Sequence, residues 1–418
     1  MLVKLRVALV GSFAIAFLLA AVKPILAADA ETPAAKSDKA ESPAAPARLP
    51  EVTTPDSAAK EPAAAVKVEA KKVKKLSAEM TERRDKVRRL LAVLRTQPFS
   101  TQQNTCTDVL DFCHAFGCET ELSDNAGSGQ KVNGITCLCW NMSCGGYELM
   151  TISDGHLAPR VGYGYQSSSS ELAAILAQSH VPAEYPARAG RNVRTVADLI
   201  AYEKLTCRPG LDMSLKLVAL AYYVQEPSWK DNLGGEWTLQ RIVAEELDRP
   251  QSARPHAATD RLLGLCAALE RFKNDKVPLD GDLDRAKRYI DESIGYAYAS
   301  QNTDGSWGRP TSRDYATAVS YTAHMLEWLV AALPASHLEG PPIVRAIDFL
   351  HNTFNSPHYQ TFIPTMSSRE ISAAMRAAYV LNSYDARVFA PADPPPSAEP
   401  AKTEKPAQKA ASRVPQTR

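Results

Sequence analysis

Nine helix-length segments between about residues 160 and 385 alternate in character, and that alternation restricts the fold more than any other feature of the chain. Strongly apolar helices are predicted to start near Gln166, Leu211, Ala257, Thr311 and Ser367, at spacings of 45, 46, 54 and 56 residues. More amphipathic helices fall between them, near 193–205, 237–248, 281–300 and 341–355. The nearly all-apolar run Leu215 to Val224 suits a helix buried on both sides. The helix over 281–300, broken by Asp282, Asp284, Arg285, Lys287 and Arg288, needs a solvated face. Pro182, Pro227, Pro250, Pro278 and Pro334 mark the repeat ends. Two-helix units of about 50 residues stack on one another, because no single unit buries its own apolar face. The expected fold class is all-α, with five inner and four outer helices. That is one inner helix short of a closed six-fold ring. A basic amphipathic helix over 76–95, or part of the segment 96–150, would fill the remaining place.

The stretch Gln301-Asn302-Thr303-Asp304-Gly305-Ser306-Trp307-Gly308 joins an outer helix to the next inner one. Asp304-Gly305 is tight-turn chemistry. Gln301 offers an amide for free backbone groups at a helix end, and Trp307 combines a large apolar surface with one N–H donor. The stretch resembles the QW motif of the terpenoid cyclase/prenyltransferase α/α-toroid folds. This resemblance implies an α/α toroid over 151–389, with inner helices running the same way and their N-termini sharing one rim. Such a rim gathers positive helix-dipole ends. Gln301, Asp304, Gly305 and Trp307 are then structural.

The rim candidates for ligand contact are His156, Arg160, Gln166, His256, Asp260, Arg313, Asp314 and Arg369. Helix capping accounts for Asp212, Thr259, Ser312, Ser368 and Glu370 without any ligand. It does not account for Arg313 and Arg369, since a cation at a helix start opposes the dipole.

Known toroid chemistries are incomplete here. The chain has no D-x-D-D acid motif. Asp280, Asp282 and Asp284 sit at an outer-helix start, where carboxylates favour the dipole. Asp260 and Cys266 do not match prenyltransferase zinc spacing. Gly162-Tyr163-Gly164-Tyr165-Gln166 resembles the thioester motif of complement-like toroids, but Tyr163 replaces the cysteine, so no thioester can form. No cofactor and no metal are expected.

Residues 1–28 read as a secretory signal, with Lys4 and Arg6 ahead of the apolar run Val7 to Val22 and small residues Ala27 and Ala28 at the cleavage site. Residues 29–75 hold thirteen Ala, six Pro and no aromatic residue, too little apolar surface to offset the entropy of ordering, so a disordered linker is expected. An uncleaved signal would make it a membrane tether reaching about 150 Å. Residues 390–418 read as a disordered tail. A net charge of +1 argues against a specific nucleic-acid partner. The chain has eight cysteines. Cys106, Cys113, Cys118, Cys137, Cys139 and Cys144 fall in 96–150, while Cys207 and Cys266 lie in the helical region as a bridge or as buried thiols. The paired C-x2-C spacing of zinc sites is missing, and export favours disulfides, with fifteen pairings open for the six. The expected location is exported, in the periplasm or cell envelope or outside the cell.

From Cys106 to about Phe389 the chain also resembles a secreted bacterial family labelled as ADP-ribosylation-factor-directed GTPase-activating proteins. The resemblance lies in Phe112-Cys113-His114-Ala115-Phe116-Gly117-Cys118, in Asp154 to Gln166, and in the QW-like stretch. GTPase-activating chemistry is not expected, because its four-cysteine zinc finger and following arginine are missing. The expected function is an exported binding or scaffold protein whose rim recognises a glycan, anion or peptide. The alternative is an extracytoplasmic carbohydrate-active hydrolase or lyase, with Asp260 and Asp314 as acid and base. A third reading is a structural envelope protein held by the linker.

Overall fold

The computed structural model describes residues 76–389 apart from 119, 125–129, 251–255, 309–313, 357–358 and 360–365. The signal, linker and tail expected at 1–28, 29–75 and 390–418 lie outside the described residues, as does Arg313.

The described chain is mostly helical. Its helices are α1 (Ala78–Arg95), α2 (Cys106–Phe116), the short α3 (Gly134–Cys139), α4 (Glu171–Gln178), α5 (Val196–Leu205) and α6 (Ser214–Tyr223). They continue with α7 (Leu239–Asp248), α8 (Ala257–Asn274), α9 (Gly281–Ala299), α10 (Tyr315–Ala332), α11 (Pro341–Phe354) and α12 (Ser368–Val388). Strands form only two-stranded antiparallel hairpins. Two of these matter below: β1 (Glu121–Ser123) with β2 (Lys131–Asn133), and β3 (Met150–Ser153) with β4 (His156–Pro159).

The apolar helices pack in a closed circuit: α2 on α4, α4 on α6, α6 on α8, α8 on α10, α10 on α12, and α12 back on α2. The amphipathic helices lie between inner neighbours, with α7 against α6 and α8, α9 against α8 and α10, and α11 against α10. Helix α2, from the cysteine-rich segment, takes the sixth inner place. Helix α1 stays outside, on α11 and α12. Its basic face is answered by acids: Arg88 Nε lies 2.9 Å from Asp385, Arg83 pairs with Glu79, and Lys86 with Glu82. These pairs hold the helix to its neighbours and to itself.

A buried contact recurs on two successive helix pairs. Ser170 Oγ, at the start of α4, donates to Glu203 of α5 at 2.6 Å, and Ser214 Oγ, at the start of α6, donates to Glu246 of α7 at 2.9 Å. Each outer helix thus supplies a carboxylate that satisfies orphan groups where an inner helix begins. Lys216 and Arg249 neutralise the two carboxylates at 3.0 and 2.8 Å. Where α6 and α8 cross, Gly264 lets the backbones meet, since a Cβ there would stand 2.5 Å from Ser214 O.

The QW-like stretch binds three helices together. Gln301 Nε2 donates to Gly305 O at 2.9 Å and to Pro342 O, at the start of α11, at 2.8 Å. The indole of buried Trp307 donates to Ala297 O of α9 at 2.7 Å, and its backbone N–H donates to Thr322 Oγ1 of α10 at 3.1 Å. Asp304 Oδ1 accepts from Ser306 N and Oγ and closes the turn. Gly305 has φ +91°, and a Cβ would stand 2.3 Å from Arg345 O, so only glycine fits.

Candidate functional site

The inner helices all begin at one end of the circuit and there enclose a cavity of about 730 Å³. Helix α2 contributes Thr107, α4 Glu171, α6 Leu215, α8 His256 and Asp260, and α10 Ser320, Tyr321 and His324. Helix α12 contributes Ser368, Ser372 and Arg376, one turn apart, so all three point the same way. The loop Gly162-Tyr163-Gly164 forms a lip, with Tyr163 largely exposed. Two residues at these helix starts, Ser170 and His256, hold the left-handed backbone at φ 65° and 63°, a strain that surroundings must enforce.

The cavity floor is charged. Arg376 Nη1 bonds both oxygens of buried Glu327 at 3.1 Å. Arg376 lines this cavity, whereas Glu327 lines a second one of about 780 Å³ among the C-terminal ends of α8, α10 and α12. The ion pair is therefore part of a partition between the two. His114 Nε2 stands 3.6 Å from Glu327, and the His114 ring stacks on Tyr379 at 3.7 Å. Gln178 holds the Tyr379 hydroxyl at 3.0 Å.

Burial and neighbouring charge set the protonation of these groups. Burial pushes the Asp111 carboxyl up to about 7; the Glu171 charge adds to this, and Arg376 opposes it. Burial also raises Glu327, against the pull of Arg376, and holds His114 well below the ordinary imidazole value. For Arg376, burial works against the charge, but Glu327, Asp111, Glu171 and Asp260 more than offset it and raise the guanidinium above its ordinary value. One Asp111 oxygen has no hydrogen-bond partner. Glu171 is held differently: its Oε2 accepts from Ser167 N, Ser167 Oγ and Ser168 N. Two neighbouring carboxyl groups thus sit in opposed environments. Among the described residues, no group of three His, Cys, Asp or Glu is placed to hold a metal ion.

The structure divides the rim residues named from sequence. His256, Asp260 and Arg369 line the cavity. Asp314 caps α10 and meets Arg369 at 2.8 Å. Arg369 also bonds Thr317, so Asp314 at the start of the neighbouring helix α10 neutralises this arginine, which explains how a cation persists there. The other three are structural. His156 Nδ1 meets Asp198 of α5 at 2.9 Å and anchors the β3–β4 hairpin. Arg160 donates to Glu148 O at 3.0 Å and lies over the Tyr165 ring. Gln166 is buried, its amide oxygen accepting from Leu172 N at 3.0 Å. Glu171, His324, Ser372 and Arg376, and the buried carboxyl groups Asp111 and Glu327 around Arg376, were missed from sequence. Their signal was polar residues four apart on otherwise apolar helices: Thr107 and Asp111, Ser320 and His324, Ser372 and Arg376.

All eight cysteines are buried, and no sulfur pair among the described residues lies at bonding distance. Cys207 Sγ contacts Glu203 O, and Cys266 lines the second cavity, so each meets its own surroundings. No described helix is long and apolar enough to cross a membrane. Compared with protein-family models, curated proteins and solved structures, the chain matches none.

Proposed function

We propose that this is an exported α/α-toroid protein that binds a polyhydroxylated ligand, a glycan, in the cavity at the N-terminal ends of the inner helices. The observation that carries the reading is the convergence of six inner-helix starts on one cavity of about 730 Å³. Pockets of this size suit small polar ligands held by a few convergent polar groups. The wall mixes hydroxyls, the Tyr163 and Tyr321 rings and the carboxylates Glu171 and Asp260. Sugar hydroxyls donate to carboxylates and accept from guanidinium, and sugar faces lie on aromatic rings. A bare anion is less suited, since Asp111, Glu171 and Glu327 surround Arg376 and Asp314 pairs with Arg369. Titration calorimetry of the full chain against neutral and acidic oligosaccharides, sulfate and short peptides tests this. Saccharide binding weakened about tenfold by Tyr163→Ala and by Asp260→Asn is expected, on the order of 1.4 kcal/mol each. Tight sulfate binding without saccharide binding would reject it.

One observation supports a second reading, a hydrolase or lyase. Asp111 and Glu171 interact, yet one is buried with an unpartnered oxygen and the other holds three donors. A bound oligosaccharide should then be cleaved over hours, and Glu171→Gln should abolish cleavage while keeping binding. An oligosaccharide that is bound but recovered intact leaves the protein a binder.

A further inference from the structure

We infer that Cys137 and Cys144 are a cross-linking site, and that their disulfide fixes the turn on which the lip of the cavity rests. The two sulfurs lie 3.4 Å apart, both buried. Cys137 sits on α3, which the Asn133 side chain caps, so its position is set by the helix. Cys144 opens a tight turn in which Cys144 and Tyr147 exchange both backbone hydrogen bonds, at 2.8 and 2.9 Å. Gly145 and Gly146 take φ +57° and +87° there, so the turn has a fixed path.

That turn supports the lip. Tyr147 lies against Gly164, where even a methyl group would stand 2.6 Å from its ring. The same ring packs edge-on against Tyr163 and Tyr165, at 6.2 and 5.2 Å. Gly164 O accepts from Cys106 N at 3.1 Å, which fastens the lip to the start of α2. Movement of the Cys144 turn therefore moves Tyr147 and, with it, Tyr163 at the cavity mouth.

Cys106 is a competing partner for Cys144: its thiol bonds the Cys144 thiol and also contacts Tyr147 O at 3.3 Å. The Cys144 thiol and then burial push Cys106 well above the ordinary thiol value; Cys106 pulls Cys144 down, but Cys137 and burial outweigh it and raise that thiol too, so neither yields a thiolate readily in the folded chain. The bond therefore forms during folding, while the sulfurs are reachable. With glutathione disulfide as oxidant, the Cys137 thiolate displaces one glutathione thiolate. Cys144 then displaces the second, and the two thiol protons end on two reduced glutathiones.

The test uses the full chain refolded in a glutathione redox buffer, with Cys139→Ser introduced to remove its neighbour. Cleavage after Trp140 separates Cys137 from Cys144 along the chain. Mass spectrometry should find the two peptides joined until reduced. Cys144 joined to Cys106, or left as a thiol under oxidising conditions, overturns the assignment. The lip is read by the rate of chymotryptic cutting at Tyr163. Cutting should be about tenfold faster in Cys144→Ser than in the linked protein, since cleavage follows the population of the open segment. Equal rates would overturn the role in the lip. If Cys144→Ser does not fold, Cys137→Ala, which leaves the turn intact, gives the same comparison. Neither readout depends on what the cavity binds.

Discussion

Replacing Trp307 with alanine is expected to lower the unfolding free energy by about 3–5 kcal/mol, the range for truncating a large buried aromatic. Three losses combine. The indole is buried, its N–H no longer reaches Ala297 O at the end of α9, and a void opens beside α10. The Thr322 hydroxyl contact is made by the backbone of residue 307 and survives. Urea denaturation should show a lower midpoint with an unchanged slope, since the surface exposed on unfolding is similar. A Trp307→Ala protein that unfolds at the wild-type midpoint but no longer binds its ligand would show that the residue belongs to the site.

Arg376→Met is expected to be as costly, about 3–5 kcal/mol near neutral pH, because it leaves buried Glu327 without its partner. Its pH dependence is the sharper test. Asp111 and Glu327 already have raised values in the fold. A carboxyl with a raised folded value favours the folded state at low pH and loses that advantage as pH rises through it. For Asp111 the window runs from its ordinary 3.8 to about 7. Without Arg376 both values climb further, so the deficit of the variant should shrink toward pH 4 and widen through pH 7. His114, lowered by burial and then by the Arg376 charge, destabilises the fold as pH falls below its ordinary 6.5; removing Arg376 eases this and narrows the deficit at low pH in the same direction. A deficit that stays flat from pH 4 to 8 would mean that Glu327 is not ionised in the fold.

The helices were legible because burial on all sides and burial on one side leave different patterns. The predicted start near Ala257 coincides with that of α8, and the outer helices fall within a few residues of their predicted bounds. The sixth inner helix was harder to read. Cys106 to Phe116 is buried almost throughout, but its cysteines drew attention to redox chemistry and away from packing. The site was legible only at its edge. Helix starts mark the rim, so His256, Asp260 and Arg369 could be named, whereas the floor lies one or two turns further in. A lone Arg376 or Glu327 in an apolar helix carries no sign of which other helix it faces. That pairing is set by the closure of the circuit and has no local signature. Gln166 misled because its amide is tied to the backbone of Leu172, and His156 because its partner, Asp198 of α5, is distant in sequence.

The contact that completes the circuit joins the two ends of the described chain. Asn382 of α12 donates to Ala115 O of α2 across 267 positions, and Arg88 reaches Asp385 across 297. A linear stack of helix pairs has two independent termini and can grow from any point. Here the last described helix is the immediate partner of the first inner one, so α12 must leave the ribosome before that interface exists, and such distant contacts form slowly. Until then α2 and α10 each present an apolar flank shaped for α12. Those flanks are complementary to the helix of any other copy at the same stage. Assembly in trans, head to tail, therefore competes with closure within one chain, and the outcome depends on how many unfinished copies share a compartment.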